Sequence, residues 1–344
     1  MTQIARETSP ELGFCSTDSE STVAAFASPL RTILLFRTPL PELMLALGFF
    51  LITVILGHSF GLQLVFPSSD ALQFTGMSYF VPLSMILALG LFMKVTKRTM
   101  QLAYYLIVAL AYVMILVAHF NVKLWMSIVN PRLWDAFYWQ TDQMVRPLID
   151  ASFVVHNLVG MVLPAENHLY LFAFLAMFGS SIIVHSMKNF IVFRQVIFTA
   201  MLVHALGALS YLIMPAVGPF IYESGVNALE TTRQEHMYNG YQALMAGGKP
   251  WLESQASQFL LSAVAAMPSL HVASSGVFVY YAWKNERWLG WIYLPLFVFI
   301  VFEAIATRWH YAIDIAAGLA LTGLAIAITT AIFRPIEARY AVRR

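Results

Sequence analysis

Cysteine is nearly absent: the one residue of this kind, Cys15, rules out an intrachain disulfide and any metal site built on cysteine. Charge is scarce as well, since Asp, Glu, Lys and Arg make up 11% of the 344 residues, against about 25% in soluble domains. The 20 basic and 18 acidic residues leave a formal net charge of +2, so the overall balance makes no case for nucleic-acid binding, which needs a clustered basic face. The first 40 residues lack the basic start, short apolar core and small-residue cleavage site of a signal peptide. They mix Ser, Thr, Glu and Asp with Arg31 and Arg37, and 1–40 is expected to be a cytoplasmic tail. Neither an internal repeat nor a linker divides the rest of the chain.

What is abundant is apolar surface. The chain is 59% hydrophobic with a mean hydropathy of +0.71, which places it in a bilayer. A span needs about 20 apolar residues, and eight candidates are found near 42–66, 77–93, 99–118, 168–187, 195–217, 269–283, 288–306 and 311–333. The fold class is therefore all-α, a polytopic membrane helix bundle. One membrane domain covers 41–334 and a basic tail covers 335–344.

An even number of spans puts both termini on one side, and the basic residues test which side that is. The expected inner segments hold Arg6, Arg31, Arg37, Lys94, Lys97, Arg98, Lys188, Arg194, Lys284, Arg287, Arg334, Arg339, Arg343 and Arg344. The outer ones hold Lys123, Arg132, Arg146, Arg233, Lys249 and Arg308. Both termini are thus expected in the cytoplasm. Two long segments, 119–167 and 220–267, fall on the outer face, and the first carries Trp134, Asp135, Trp139 and Asp142, suited either to interfacial anchoring or to a polyol or amine headgroup.

Ionisable residues within spans are costly and so mark candidate sites. Away from the inner ends there are two carboxylates, Glu303 and Asp314. Asp314 follows His310 by four residues, which puts both side chains on one helical face. A carboxylate bonded to one imidazole nitrogen fixes the tautomer and leaves the other nitrogen free to attack. On the same expected face lies Pro268-Ser269-Leu270-His271. His271 is placed to pass a proton to and from oxygen, and Ser269, at a helix start, suits a phosphate. Each pattern alone has an ordinary origin, a chance pairing or a helix cap; together on one face they point to a site. His58, His119, His168 and His185 are expected to be interfacial, and His204 to make an interhelical hydrogen bond. His156 and His236 have no assigned place.

These residues resemble the type 2 phosphatidic acid phosphatase superfamily, in its inositol phosphorylceramide synthase-like branch. The resemblance rests on Pro268-Ser269-x-His271, on His310-x-x-x-Asp314 with Ile315-Ala316-Ala317-Gly318, and on the run from Tyr211 to Pro219. It is strongest over 168–333. It implies a six-helix catalytic core, chemistry without metal or cofactor, His310 as nucleophile, Asp314 as its orienting group and His271 as acid and base. Ser269 would contact phosphate, with Arg308, Glu303 and Tyr211 as further substrate contacts. Substrates would be a phospholipid donor and a lipid or polyol acceptor. Two features depart from the superfamily's phosphatases. The Lys-rich first motif ending in Arg-Pro is missing, and Ala304 stands six residues before His310 where those enzymes have arginine. The missing motif favours the synthase-like branch over a plain lipid phosphatase, and Arg308, two residues before His310, is expected to supply the positive charge in place of that arginine. A transporter would instead gather broken helices at mid-membrane.

Overall fold

A computed structural model of the chain describes residues 40–68, 102–163, 166–260 and 266–341, with isolated positions between 84 and 95. The described residues form an all-helical bundle: α1 Pro41–Phe60, α2 Leu102–Val129, α3 Asp135–Met144, α4 Arg146–Val162, α5 Glu166–Lys188, α6 Phe190–Ile213, α7 Ala228–Phe259, α8 Leu270–Asn285, α9 Arg287–Ala306 and α10 Ala312–Ala341. Local chemistry sets several boundaries. Pro41 opens α1, where its missing N–H costs nothing. The Asn189 side chain caps α6 by accepting from Ile191 N at 3.0 Å, and Asn227 caps α7 by accepting from Glu230 N at 3.1 Å. Within α7, Gly248 takes a φ of +55° and Pro250 follows, bending the element.

Six stretches are long and apolar enough to cross a membrane: α1, residues 104–129 of α2, 169–188 of α5, α6, α9 and residues 312–338 of α10. The pair α3 and α4, bent by 84° at Val145, would together make a seventh. The span expected at 77–93 lies outside the described residues apart from those isolated positions, as does the tail 1–40 apart from Leu40. The span expected at 269–283 is the 16-residue α8, which packs against α5, α6, α9 and α10. Its Ser274 and Ser275 are buried there.

At the base of the bundle Arg194 (α6) donates from Nε to Glu42 (α1) Oε1 at 2.9 Å, and Tyr104 (α2) donates to the same oxygen at 2.7 Å. Toward the other end Gly57 of α1 lies against Trp125 of α2, so α1 and α2 run parallel. Asn121 of α2 fixes the chain after α1, accepting from Val65 N at 2.8 Å and donating to Val65 O at 2.9 Å. His119 and His185, expected at the interface, are buried. The base also receives the end of α10, where Gln195 donates to Glu337 at 2.7 Å. The ends of α2, α6 and α9 and the starts of α8 and α10 therefore meet at the head.

Candidate active site

The start of α8 is docked directly on α10. Ser269 N donates to the Asp314 carbonyl at 3.1 Å, and a Cβ at Gly318 would lie 2.6 Å from Ser269 O. Only glycine allows that approach, which brings the Pro268–His271 motif against the His310–Asp314 motif. Between α9 and α10 the chain turns through Arg308, whose φ of +58° is uncommon for a residue with a side chain. His310 N closes the turn by donating to Ala304 O at 3.1 Å.

His310 is buried, and its Nδ1 lies 2.8 Å from the carbonyl oxygen of Ala266. A carbonyl only accepts, so Nδ1 carries the proton and Nε2 is the nitrogen with the free lone pair. Asp314 Oδ2 is the more distant neighbour of Nδ1, at 3.4 Å. Asp314 is fully buried; Oδ2 accepts from Tyr311 N at 2.8 Å and Oδ1 has no partner. The orienting role expected of the carboxylate alone is thus shared with a backbone oxygen, which is the nearer of the two.

His271, in the first turn of α8, has its ring edge-on to Tyr170 and Phe174 of α5, at 5.3 and 4.8 Å between centroids. The Ser269 N–H, two residues before it, donates to the Asp314 carbonyl, so His271 and His310 both lie at the junction of α8 and α10. Ser269 is fully buried and its Oγ makes no hydrogen bond, not even to cap α8. Arg308 is also fully buried. Its Nη2 donates to Asp142 Oδ2 at 2.9 Å, its Nε stands 3.5 Å from Glu223, its guanidinium lies over Trp139, and Nε and Nη1 have no hydrogen-bond partner. Buried donors without partners are rare in finished structures and mark places where a ligand or water belongs.

Two other expected site residues have protein partners of their own. Glu303 is buried one turn before Thr307 and accepts from His156 Nδ1 of α4, at 2.9 Å. Tyr211 packs on the His119 ring between α2 and α6, at 5.9 Å. The acidic residues of α3 are buried and bonded within the protein. Asp135 accepts from Val217 N at 2.9 Å, from Gly218 N at 2.9 Å and from the Tyr311 hydroxyl at 2.8 Å. Asp142 holds Arg308 and accepts from Ala312 N at 2.8 Å. Burial pushes both carboxyls above the usual carboxylate range, opposed by these same donors. The run from Tyr211 to Pro219 is scaffold: Pro215 O accepts from Trp134 N, at 2.8 Å, and Ala216 O from Ala266 N, at 3.0 Å. That second bond positions the carbonyl that holds His310.

From above, α7 closes over the turn. Gln234 donates to Thr307 O at 2.7 Å, Trp309 donates to Glu230 at 2.8 Å, and Gly225 is pressed against the Thr307 backbone. Among the described residues no group of three His, Cys, Asp or Glu side chains is arranged to hold a metal ion.

A family model described as the PAP2 superfamily matches residues 155–328, just over half of the chain. The chain belongs to the PAP2 superfamily. Neither a curated protein nor a solved structure matches it significantly. PAP2 membership makes this a membrane enzyme of the phosphatase or phosphotransferase type acting on lipids, without singling out a branch. The PAP2 stretch starts in α4 beside His156 and ends inside α10, so it contains Tyr211, Ser269, His271, Glu303, Arg308, His310 and Asp314. Asp135 and Asp142, which clamp the turn around His310, come from outside that stretch.

Proposed function

We propose that the protein is a lipid phosphotransferase of the inositol phosphorylceramide synthase-like branch that works through a phosphohistidine at Nε2 of His310. The observation that carries this reading is the Ala266 carbonyl 2.8 Å from Nδ1, which makes Nε2 the nucleophilic nitrogen; Ser269 and Arg308, in the same two motifs, carry buried donors without partners. Nε2 attacks phosphorus, a P–N bond forms, and the bond to the donor's leaving oxygen breaks as His271 gives that oxygen a proton. The acceptor hydroxyl then attacks phosphorus, its proton passes to His271, and the P–N bond breaks. Asp314 balances the charge that His310 gains. Ser269 Oγ and the free guanidinium N–H groups of Arg308 hold the phosphoryl oxygens.

Transfer in place of hydrolysis is supported by the cover over the turn, since α3 and α7 both bond to residues 307–312. A positioned acceptor has an effective molarity of roughly 10⁵ M or more, enough to outcompete water where access is restricted. The bias of basic residues supports an extracytoplasmic site with both termini inside. The test supplies purified protein with labelled phospholipid, with and without ceramide, diacylglycerol, inositol or a polyprenol. Label should move to an acceptor through an acid-labile protein adduct. Release of free phosphate or phosphorylated headgroup at a rate no acceptor changes would instead establish the lipid phosphatase.

A further inference from the structure

The charge pattern of the sequence puts Lys123 in an outer loop, yet it lies inside α2, within the apolar stretch 104–129. A charged residue there is costly and in general faces a bundle interior or a ligand. Among the described residues Lys123 has no hydrogen-bond or ion-pair partner, in contrast to the buried arginines Arg194 and Arg308, each of which faces a carboxylate.

Its place in the bundle is defined by neighbours. His119 and Lys123 are four residues apart on α2 and so share a face. His119 turns that face toward α6, its Nδ1 3.0 Å from the His204 carbonyl and its ring on Tyr211. Between those two α6 residues lies Gly207, where a Cβ would stand 2.3 Å from Leu270 Cδ2. Leu270 is the residue before His271, so the start of α8 rests on the same part of α6. Lys123, one turn past His119, is accordingly placed at the level of α6 on which the start of α8 rests.

We propose that Lys123 is a substrate-binding residue whose ammonium group holds a non-bridging oxygen of the phosphate bound between His271 and His310. Arg308 is ion-paired to Asp142 and has Glu223 at 3.5 Å, so its charge is largely matched before substrate arrives. Lys123 has no such counterion and is balanced when a phosphate enters. This inference rests on the function proposed above, which gives the site a phosphate; what it adds is a contact from a helix outside the PAP2 stretch.

The test is calorimetric binding of inorganic phosphate to the purified full chain in micelles, which requires neither turnover nor a known acceptor. Lys123→Met should weaken binding roughly ten- to hundredfold, the loss of one charge-assisted hydrogen bond, and Lys123→Arg should bind within a few-fold of the native protein. A second variant guards against misfolding. In a Cys15→Ser background, Lys123→Cys should bind weakly, recover after modification with aminoethyl methanethiosulfonate, which restores a positive charge, and stay weak after the methyl reagent. Native-like phosphate affinity in Lys123→Met, or equal recovery with both reagents, overturns the inference and leaves the proposed function standing. Absence of phosphate binding in the native chain overturns it too. Lys123-dependent binding in a protein that neither hydrolyses nor transfers any phospholipid supports the contact and refutes the function.

Discussion

The pair Asp142 and Arg308 ties the turn before His310 to α3, and its energetic weight can be worked out from burial. Both side chains are fully buried and meet at 2.9 Å. Asp142→Asn keeps an oxygen for Ala312 N but strands the guanidinium, whose remaining carboxylate, Glu223, is 3.5 Å from Nε and outside hydrogen-bond geometry. Breaking a buried pair in this way costs about 3–5 kcal/mol. Arg308→Met strands a carboxyl instead, which can take up a proton where a guanidinium cannot lose one, so about 1–3 kcal/mol is expected, the range for a buried group that loses one partner. The double variant strands no charge. Its loss should fall below the sum of the single losses by about 2 kcal/mol, within the range measured for contacting residues. The assay is SDS-driven unfolding in mixed micelles followed by tryptophan fluorescence, on all four proteins. Strict additivity would falsify the claim that these groups pair inside the protein.

His310→Ala should abolish both turnover and the acid-labile phosphoprotein, measured with labelled lipid; a labelled adduct that persists would move the nucleophile elsewhere. Asp314→Asn should lower turnover only roughly ten- to hundredfold, the usual cost of losing a supporting contact, because the Ala266 carbonyl still holds Nδ1; inactivity equal to His310→Ala would show that the carboxylate is the main orienting group. Gly318→Val should separate α8 from α10, since Ser269 O lies 2.6 Å from the new Cβ, and fluorescence-detected size exclusion should show a sharp loss of folded protein. Cysteine placed at the exposed Glu235 in a Cys15→Ser background should react with an impermeant thiol reagent on intact cells; labelling only after lysis would put the site on the cytoplasmic face.

The helices were largely legible because a bilayer core leaves the backbone of a long apolar run few ways to satisfy its polar groups except as a helix. The limit of α2 was not. Its expected end at 118 lies 11 residues short of Val129, because His119, Asn121 and Lys123 break the hydropathy pattern, while in the fold His119 bonds across to α6 and Asn121 to the chain after α1. Within the site, Ser269, His271, His310 and Asp314 could be picked out from short spacings at two helix starts. Asp135 and Asp142 were visible only as residues fit for an interface or a headgroup, since their partners lie 82 to 176 residues away in sequence. His156 had no place until the fold set it beside Glu303, 147 residues on. The Ala266 carbonyl has no sequence signal at all, because every residue carries one.

That last contact has a consequence for how the protein can be probed and how it can change. A main-chain oxygen survives every ordinary substitution, so scanning mutagenesis passes over the nearest partner of the His310 ring without registering it. Residue 266 can drift among small side chains while the oxygen keeps its aim, provided the neighbouring stretch of chain at Ala216 holds its course. Selection would then act on the path of the backbone at that point, through the residues that shape it, and an alignment column there would look permissive where the chemistry is strict.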